Sequence, residues 1–303
     1  MQLRYAKIKS GNFGDDLNPW LWEQLIPNLI NDNEEYQFLG IGTILHNKIP
    51  GEPNKILFGS GGGYRPPPII DKKWDIYCVR GPLTAKLLKI NKSYAIADPA
   101  YLVRSVPIPD EKKEYNVSFI PHYSSDKVIE WKDICDRAGI HYISPSDTIE
   151  ATLAQIQKSK LVIAEAMHGA IVADALRVPW IPLKCSYKFL DFKWIDWCKS
   201  ISIQYEAVTL PPILQRQLNF RKMSTQAIKR NLNKVKLGKK KWSQIPYRLS
   251  TPADIDKIVQ IMQNIPLNLK PFLSSDTTVN SVTQRLEEKI VQLKKDFEAG
   301  LIK

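Results

Sequence analysis

Short apolar, β-branched runs alternate with stretches of helical spacing over residues 1–210, and glycine, proline or a polar cluster closes almost every run. That punctuation predicts repeated βα units. Residues 3–9 read as a strand running into the loop Ser10-Gly-Asn-Phe-Gly-Asp-Asp, after which residues 20–30 have helical spacing. Residues 36–40, 55–59 and 74–79 read as strands, each with a glycine at or just beyond its end. Residues 82–88 read as a helix with Pro82 in its first turn, 94–97 as a strand ending in Asp98-Pro99, and 107–114 as a polar connector.

The second half repeats the alternation. Strands are expected at 116–120, 141–143, 161–164 and 180–183, with helices at 127–138, 148–158 and 168–176. The fold class is therefore α/β, with one βα domain over residues 1–110 and a second over 111–210. Residues 211–303 are helical in pattern, with a proline-broken middle and a strong final helix over 282–301.

Charge changes the picture only in that last region. The chain carries 43 Lys and Arg against 31 Asp and Glu, a formal +12. Residues 211–303 hold 18 of the basic and 7 of the acidic residues, so the first 210 are almost neutral. Between Arg221 and Lys241 the bases alternate with Ile228, Leu232, Val235 and Leu237. This stretch is either a solubilising linker or, over 216–241, an attachment to an anionic membrane surface, where each base contributes about 1 kcal/mol. No aromatic platform or nucleic-acid motif accompanies it, so nucleic acid is not an expected partner. No apolar run is long enough to span a bilayer and the first residues lack a signal-peptide core, which predicts a cytoplasmic protein or one on the cytosolic face of a membrane. Cys78, Cys135, Cys185 and Cys198 have no paired spacing and are expected as free thiols, with no metal site.

Candidate chemistry gathers at predicted strand ends, where ligands of open α/β sheets bind. His168, one of four histidines, falls where strand 161–164 hands over to a helix, so helix-end N–H groups beside it favour an anion. Its alternative is a satisfied core histidine. Gly59-Ser-Gly-Gly-Gly63 follows a strand and could bring its N–H groups, those of Gly61 and Gly62 among them, against oxyanions, although it is neither a Walker loop nor a full dinucleotide fingerprint. Asp15 and Asp16 either take a hydroxyl proton or cap the next helix. Arg80 offers either two-pronged recognition of a carboxylate or phosphate, or an interdomain salt bridge. Lys188 follows the strand after the His168 helix and lies on the same predicted rim.

Read in order, the motifs Gly-Asn-Phe-Gly-Asp-Asp-Leu, Phe-Gly-Ser-Gly-Gly-Gly, Val-Arg-Gly-Pro-Leu-Thr, Ala-Asp-Pro-Ala, Ile-Pro-His, Met-His-Gly-Ala-Ile-Val-Ala-Asp-Ala-Leu and Val-Pro-Trp-Ile resemble the polysaccharide pyruvyl transferases over about two thirds of the chain. The resemblance implies a GT-B-like pair of Rossmann-like domains facing a cleft, with residues 211–303 as a helical basic extension. It implies transfer of a pyruvyl group from phosphoenolpyruvate onto a glycan or lipid-linked saccharide as a ketal, in cell-surface polysaccharide synthesis, with no further cofactor. The family's strand-end arginine matches Arg80, its helix-start histidine matches His168 and its lysine after the next strand matches Lys188. His168 is then the expected proton donor, Asp15 or Asp16 the expected base, and Gly61, Gly62, Arg80 and Lys188 the expected donor-binding groups.

One departure stands out. Many members carry Arg-Leu-His where this chain has Ala166-Met167-His168, so a donor-binding arginine is missing. Either Arg65, Lys184 or Arg177 substitutes for it, or the donor sits differently. Two other functions compete with this one: a GT-B-like glycosyltransferase using a nucleotide sugar, and a non-catalytic glycan-binding protein.

Overall fold

Each short apolar run forms a strand only as long as its punctuation allows, and every strand pairs in parallel because helices or loops carry the chain back between them. The computed structural model describes residues 1–185, 189–216, 220–234, 245–246 and 248–302. Four strands, β1 (Gln2–Leu3), β2 (Tyr36–Leu39), β3 (Asn54–Phe58) and β4 (Trp74–Cys78), lie side by side in chain order. A second sheet has β5 (Ser118–Ile120), β6 (His141–Tyr142), β7 (Val162–Ala164), β8 (Trp180–Lys184) and β9 (Val208–Thr209) in the order β6-β5-β7-β8-β9. All neighbouring pairs are parallel. The expected α/β class is thus what the chain adopts, with two parallel sheets.

The helices are α1 (Phe13–Leu25), α2 (Pro82–Leu88), α3 (Tyr123–Asp126), α4 (Trp131–Ala138), α5 (Ile149–Lys158), α6 (Met167–Ala175), α7 (Asp191–Ser200), α8 (Phe220–Lys234), α9 (Pro252–Asn268) and α10 (Asp276–Glu298). α1 starts seven residues before the spacing predicts. Asp16 Oδ2 accepts from the Asn12 N–H (2.7 Å), which anchors the first turn inside the polar loop. Pro19 then removes a helical donor, and the Asn18 side chain replaces it by donating to the Asp15 carbonyl (3.1 Å). The strand expected at 3–9 shrinks accordingly to Gln2–Leu3.

Two more expectations are corrected. Residues 94–97 make a single bridge, Val79 with Ala95, between a 3₁₀ turn at Lys92–Tyr94 and a 3₁₀ helix at Pro99–Ser105 capped by Asp98, whose side chain accepts from the Ala100 N–H (3.1 Å). The helix α7 and the strand β9 were not foreseen in the hydrophobic pattern, since Trp194 and Trp197 interrupt any clean polar face.

The largest apolar cluster takes Trp22, Phe38 and Phe58 from the first half and Val162, Met167 and Trp180 from the second, and α10 closes it with Val282, Leu286 and Leu293. Tyr77 of β4 donates to Asp296 of α10 (2.6 Å). α9 packs Ile258 and Met262 with Phe119 and Trp131 in a separate cluster. α9 and α10 are therefore built into the two halves and do not stand apart from them. α8 leaves Ile228 and Leu232 exposed. Among the described residues no helix is long and apolar enough to cross a membrane. All four cysteines are buried and unpaired.

Candidate functional site

Parallel strands send their connecting loops out at one edge, and here the carboxyl edges of the two sheets meet. Gly14 of α1 packs on His168 of α6, Gly63 after β3 packs on Phe192 of α7, and Gly81 after β4 packs on Asp196 of α7. α1, α6 and α7 begin at Asn12, Ala166 and Leu190, none of which makes a side-chain cap. The start of α1 is already engaged, with the Phe13 N–H donating to the Pro145 carbonyl (2.9 Å) and the Asn12 N–H to Asp16 (2.7 Å), whereas no side chain caps α6 or α7.

His168 sits at the start of α6 with its Nε2 3.6 Å from Asp98 Oδ2. Both atoms are buried and otherwise without hydrogen-bond partners, and Asp98 is wholly buried at the N-cap of its 3₁₀ helix. The carboxylate therefore faces that ring nitrogen at a separation longer than a hydrogen bond. Nδ1 lies against Gly14 of α1. A methyl group built on Gly14 would overlap Nδ1, so only glycine lets α1 lie this close. Sequence reasoning noted Asp98 as a strand end; the signal that it serves His168 exists only in the contact.

The paired carboxylates of the opening loop divide their work. Asp16 is engaged as a backward cap through Asn12. Asp15 accepts from the Asn12 side chain, and burial pushes its carboxyl above the usual range against the pull of His168, that hydrogen bond and Lys193. Burial, followed by the charge of Asp15 and the Tyr64 hydroxyl, raises Tyr123 of α3. Asp15, His168, Lys193 and Tyr123 therefore share one electrostatic neighbourhood drawn from both halves.

The remaining expected donor-binding groups form a frame behind that neighbourhood. Arg80 and Asp196 have no exposed side-chain surface and pair through Nε and Oδ2 at 3.2 Å. Arg80 also donates from Nη1 to Thr43 Oγ1 (2.7 Å) and from Nη2 to the Gly62 carbonyl (3.4 Å). Asp196 in turn accepts from the Leu83 and Thr84 N–H groups (2.8 and 3.0 Å) and from the Thr84 hydroxyl, capping α2 from across the cleft. The interdomain salt bridge is the arrangement found, and it corrects the expectation of an outward guanidinium. Gly61 and Gly62 are corrected likewise: their N–H groups point inward to the Gly42 carbonyl (2.8 Å) and Thr84 Oγ1 (3.3 Å), where the ordered loop, not an oxyanion, satisfies them. Lys188 lies outside the described residues.

Of the substitutes for the missing arginine, Lys184 is paired with Asp191 (2.7 Å). Arg177 follows the far end of α6, donates to the Ser274 carbonyl (2.6 Å) and pairs with Asp276 (3.0 Å). Arg65 is exposed.

Glu165, just before α6, is fully buried, accepts from the Ser125 hydroxyl and from the His122 N–H (2.9 Å), and is pushed up to about 7, burial being the main cause. Its native value exceeds the unfolded one, so its stabilising effect is complete below about pH 4.5 and is lost as pH rises to about 7. That gap corresponds to about 3 kcal/mol. Urea denaturation of the native chain and of Glu165→Gln at pH 5 and pH 8 is expected to show the variant gaining relative stability of that order at the higher pH. A pH-independent difference would show that Glu165 ionises normally.

Comparison with known proteins bears on the family. The family model described as polysaccharide pyruvyl transferase matches residues 12–187, a span that holds Asp15, Arg80, Asp98 and His168. The chain is 40% identical over 215 residues to a succinoglycan biosynthesis protein, ExoV, of Rhizobium meliloti (strain 1021), covering 70% of this chain and 68% of that protein. No solved structure matches the chain.

Proposed function

From its membership of the polysaccharide pyruvyl transferase family, to which this chain belongs, we propose that this transferase moves a pyruvyl group from phosphoenolpyruvate to two hydroxyls of a glycan in exopolysaccharide synthesis. The observation that carries the reading is His168, at the start of α6 with Asp98 against its Nε2 and its charge acting on Asp15 of α1. Two parallel sheets meeting at their carboxyl edges support a GT-B-like arrangement.

Phosphoenolpyruvate carries about three negative charges, and helix N-termini in a partly dry site offset them without reorganising. His168 gives a proton to the methylene carbon, which leaves the adjacent carbon oxocarbenium-like. One sugar hydroxyl adds there and passes its proton to Asp15, whose raised affinity for protons suits a base. The carbon–oxygen bond to phosphate then breaks while the second hydroxyl closes the ketal. That hydroxyl returns a proton to His168, and the proton held on Asp15 leaves with phosphate. Arg80, Gly61 and Gly62 act beneath the site by holding the glycine loop and α2 in place.

The test pairs binding with turnover. Phosphoenolpyruvate is expected to raise the melting temperature and a nucleoside diphosphate to leave it unchanged, because only the ligand of the folded state shifts it by mass action. Phosphate release from phosphoenolpyruvate should then depend on an added surface glycan. The opposite ligand preference would favour a nucleotide-sugar glycosyltransferase on the same fold.

The acceptor we favour is a lipid-linked saccharide at the cytosolic face of an anionic membrane. α8 supports it, since Ile228 and Leu232 are exposed one turn apart on a helix rich in lysine and arginine. Deleting residues 220–241 keeps Arg216 on Glu130 and is expected to cut sedimentation with anionic liposomes at low salt. Unchanged sedimentation would dismiss the attachment.

A further inference from the structure

We propose that Lys193 is the ammonium that holds the anionic end of the donor, supplying the charge that Ala166 leaves out; the assignment rests on the phosphoenolpyruvate reading above. Lys193 lies in the first turn of α7 and is only 9% exposed. Burying an ammonium costs several kcal/mol unless a partner compensates it. No hydrogen bond or ion pair of its side chain is found among the described residues, although carboxylates surround it. Asp196, three residues on, is taken up by Arg80, Leu83 and Thr84. Asp191 is taken up by Lys184 and Tyr205. Asp15 and Glu165 feel the charge of Lys193 but neither lies within ion-pair distance of it.

Phe192, beside Lys193 in the first turn of α7, packs on Gly63 of the glycine loop after β3, and the charge of Lys193 reaches Asp15 of α1 and Glu165 before α6. Lys193 also stands at the uncapped start of its own helix. The competing cations do not meet these conditions. Arg80 and Lys184 are paired, Arg177 is engaged at the other end of α6, and Arg65 is exposed. A phosphate or carboxylate brought to Lys193 would complete a buried charge that no described residue pairs.

The experiment is calorimetric binding of phosphoenolpyruvate and of inorganic phosphate to the native protein, to Lys193→Gln and to Lys193→Arg, with steady-state kinetics in parallel. Lys193→Gln is expected to weaken both ligands at least tenfold and to raise the KM for phosphoenolpyruvate more than it lowers kcat, and Lys193→Arg to recover part of the affinity. Lys193→Met serves in place of the glutamine variant if that one does not fold, and the unliganded melting temperature of each confirms the comparison. If the native protein binds phosphoenolpyruvate and the neutral variants bind it within twofold as well, the assignment of Lys193 is overturned while the donor reading stands. Binding of neither ligand by the native protein overturns both.

Discussion

Replacing His168 by glutamine is expected to reduce pyruvyl transfer by at least a thousandfold while leaving the fold and donor binding intact. Glutamine keeps the polar reach toward Asp98 but cannot deliver a proton to carbon, and general acid catalysis is worth about 10² to 10⁴ in rate. The stability cost should be small, because the ring is already 14% exposed and its Nε2 makes no hydrogen bond short enough to lose. Asp98→Asn offers the informative companion. An amide at that position would no longer set a carboxylate against Nε2, so kcat should fall with little change in KM. Phosphate release and ketal formation, followed together across pH, check both variants. Full activity of His168→Gln would sink the proposed chemistry.

Replacing Arg80 by methionine is expected to destabilise the protein by about 3–5 kcal/mol, because it strands the wholly buried carboxylate of Asp196 without its counter-charge. The loss reaches beyond one ion pair. Asp196 caps α2 through Leu83 and Thr84, and Arg80 supports the glycine loop through Gly62 and Thr43, so both lobes loosen where they meet. The double variant Arg80→Met with Asp196→Asn is expected to recover part of the stability, since it removes the unpaired charge. Denaturant unfolding of the three proteins measures this directly. An Arg80→Met variant as stable as the native chain, but unable to bind phosphoenolpyruvate, would return Arg80 to the donor site.

These two expectations mark where reading the chain succeeds and where it stops. His168 is legible because a short β-branched run followed by small residues is a strand-to-helix handover in any context, and a helix start has unpaired donors whatever surrounds it. Arg80 is equally legible as a strand-end residue, yet whether its guanidinium meets a ligand or Asp196 depends on a helix that begins more than a hundred positions later. α7 itself was missed. Its tryptophans read as a broken pattern because their burial is set by packing on Trp180 of β8 and on each other, not by a local polar face. Asp98 and Lys193 were missed as site residues for the same reason, for each acquires meaning only from an atom contributed by another element.

Pro19 illustrates the limit at the scale of one turn. By propensity it should begin a helix; the Asn18 side chain bonding the freed Asp15 carbonyl lets the helix run through it instead. The starting point of α1 matters for function, since it carries Asp15 and Gly14 to His168.

What the residues determine unaided is local: apolar period, glycine and proline breaks, capping groups, and so two runs of βα units with their chemistry at strand ends. Which of those ends face one another is decided by the shared apolar core and the closure of α10 over it, because burial free energy is non-directional and is settled only when distant segments compete for the same interior. The division of charges into paired scaffold and unpaired site follows from that competition. Partners separated by a hundred residues or more meet only once the fold is complete.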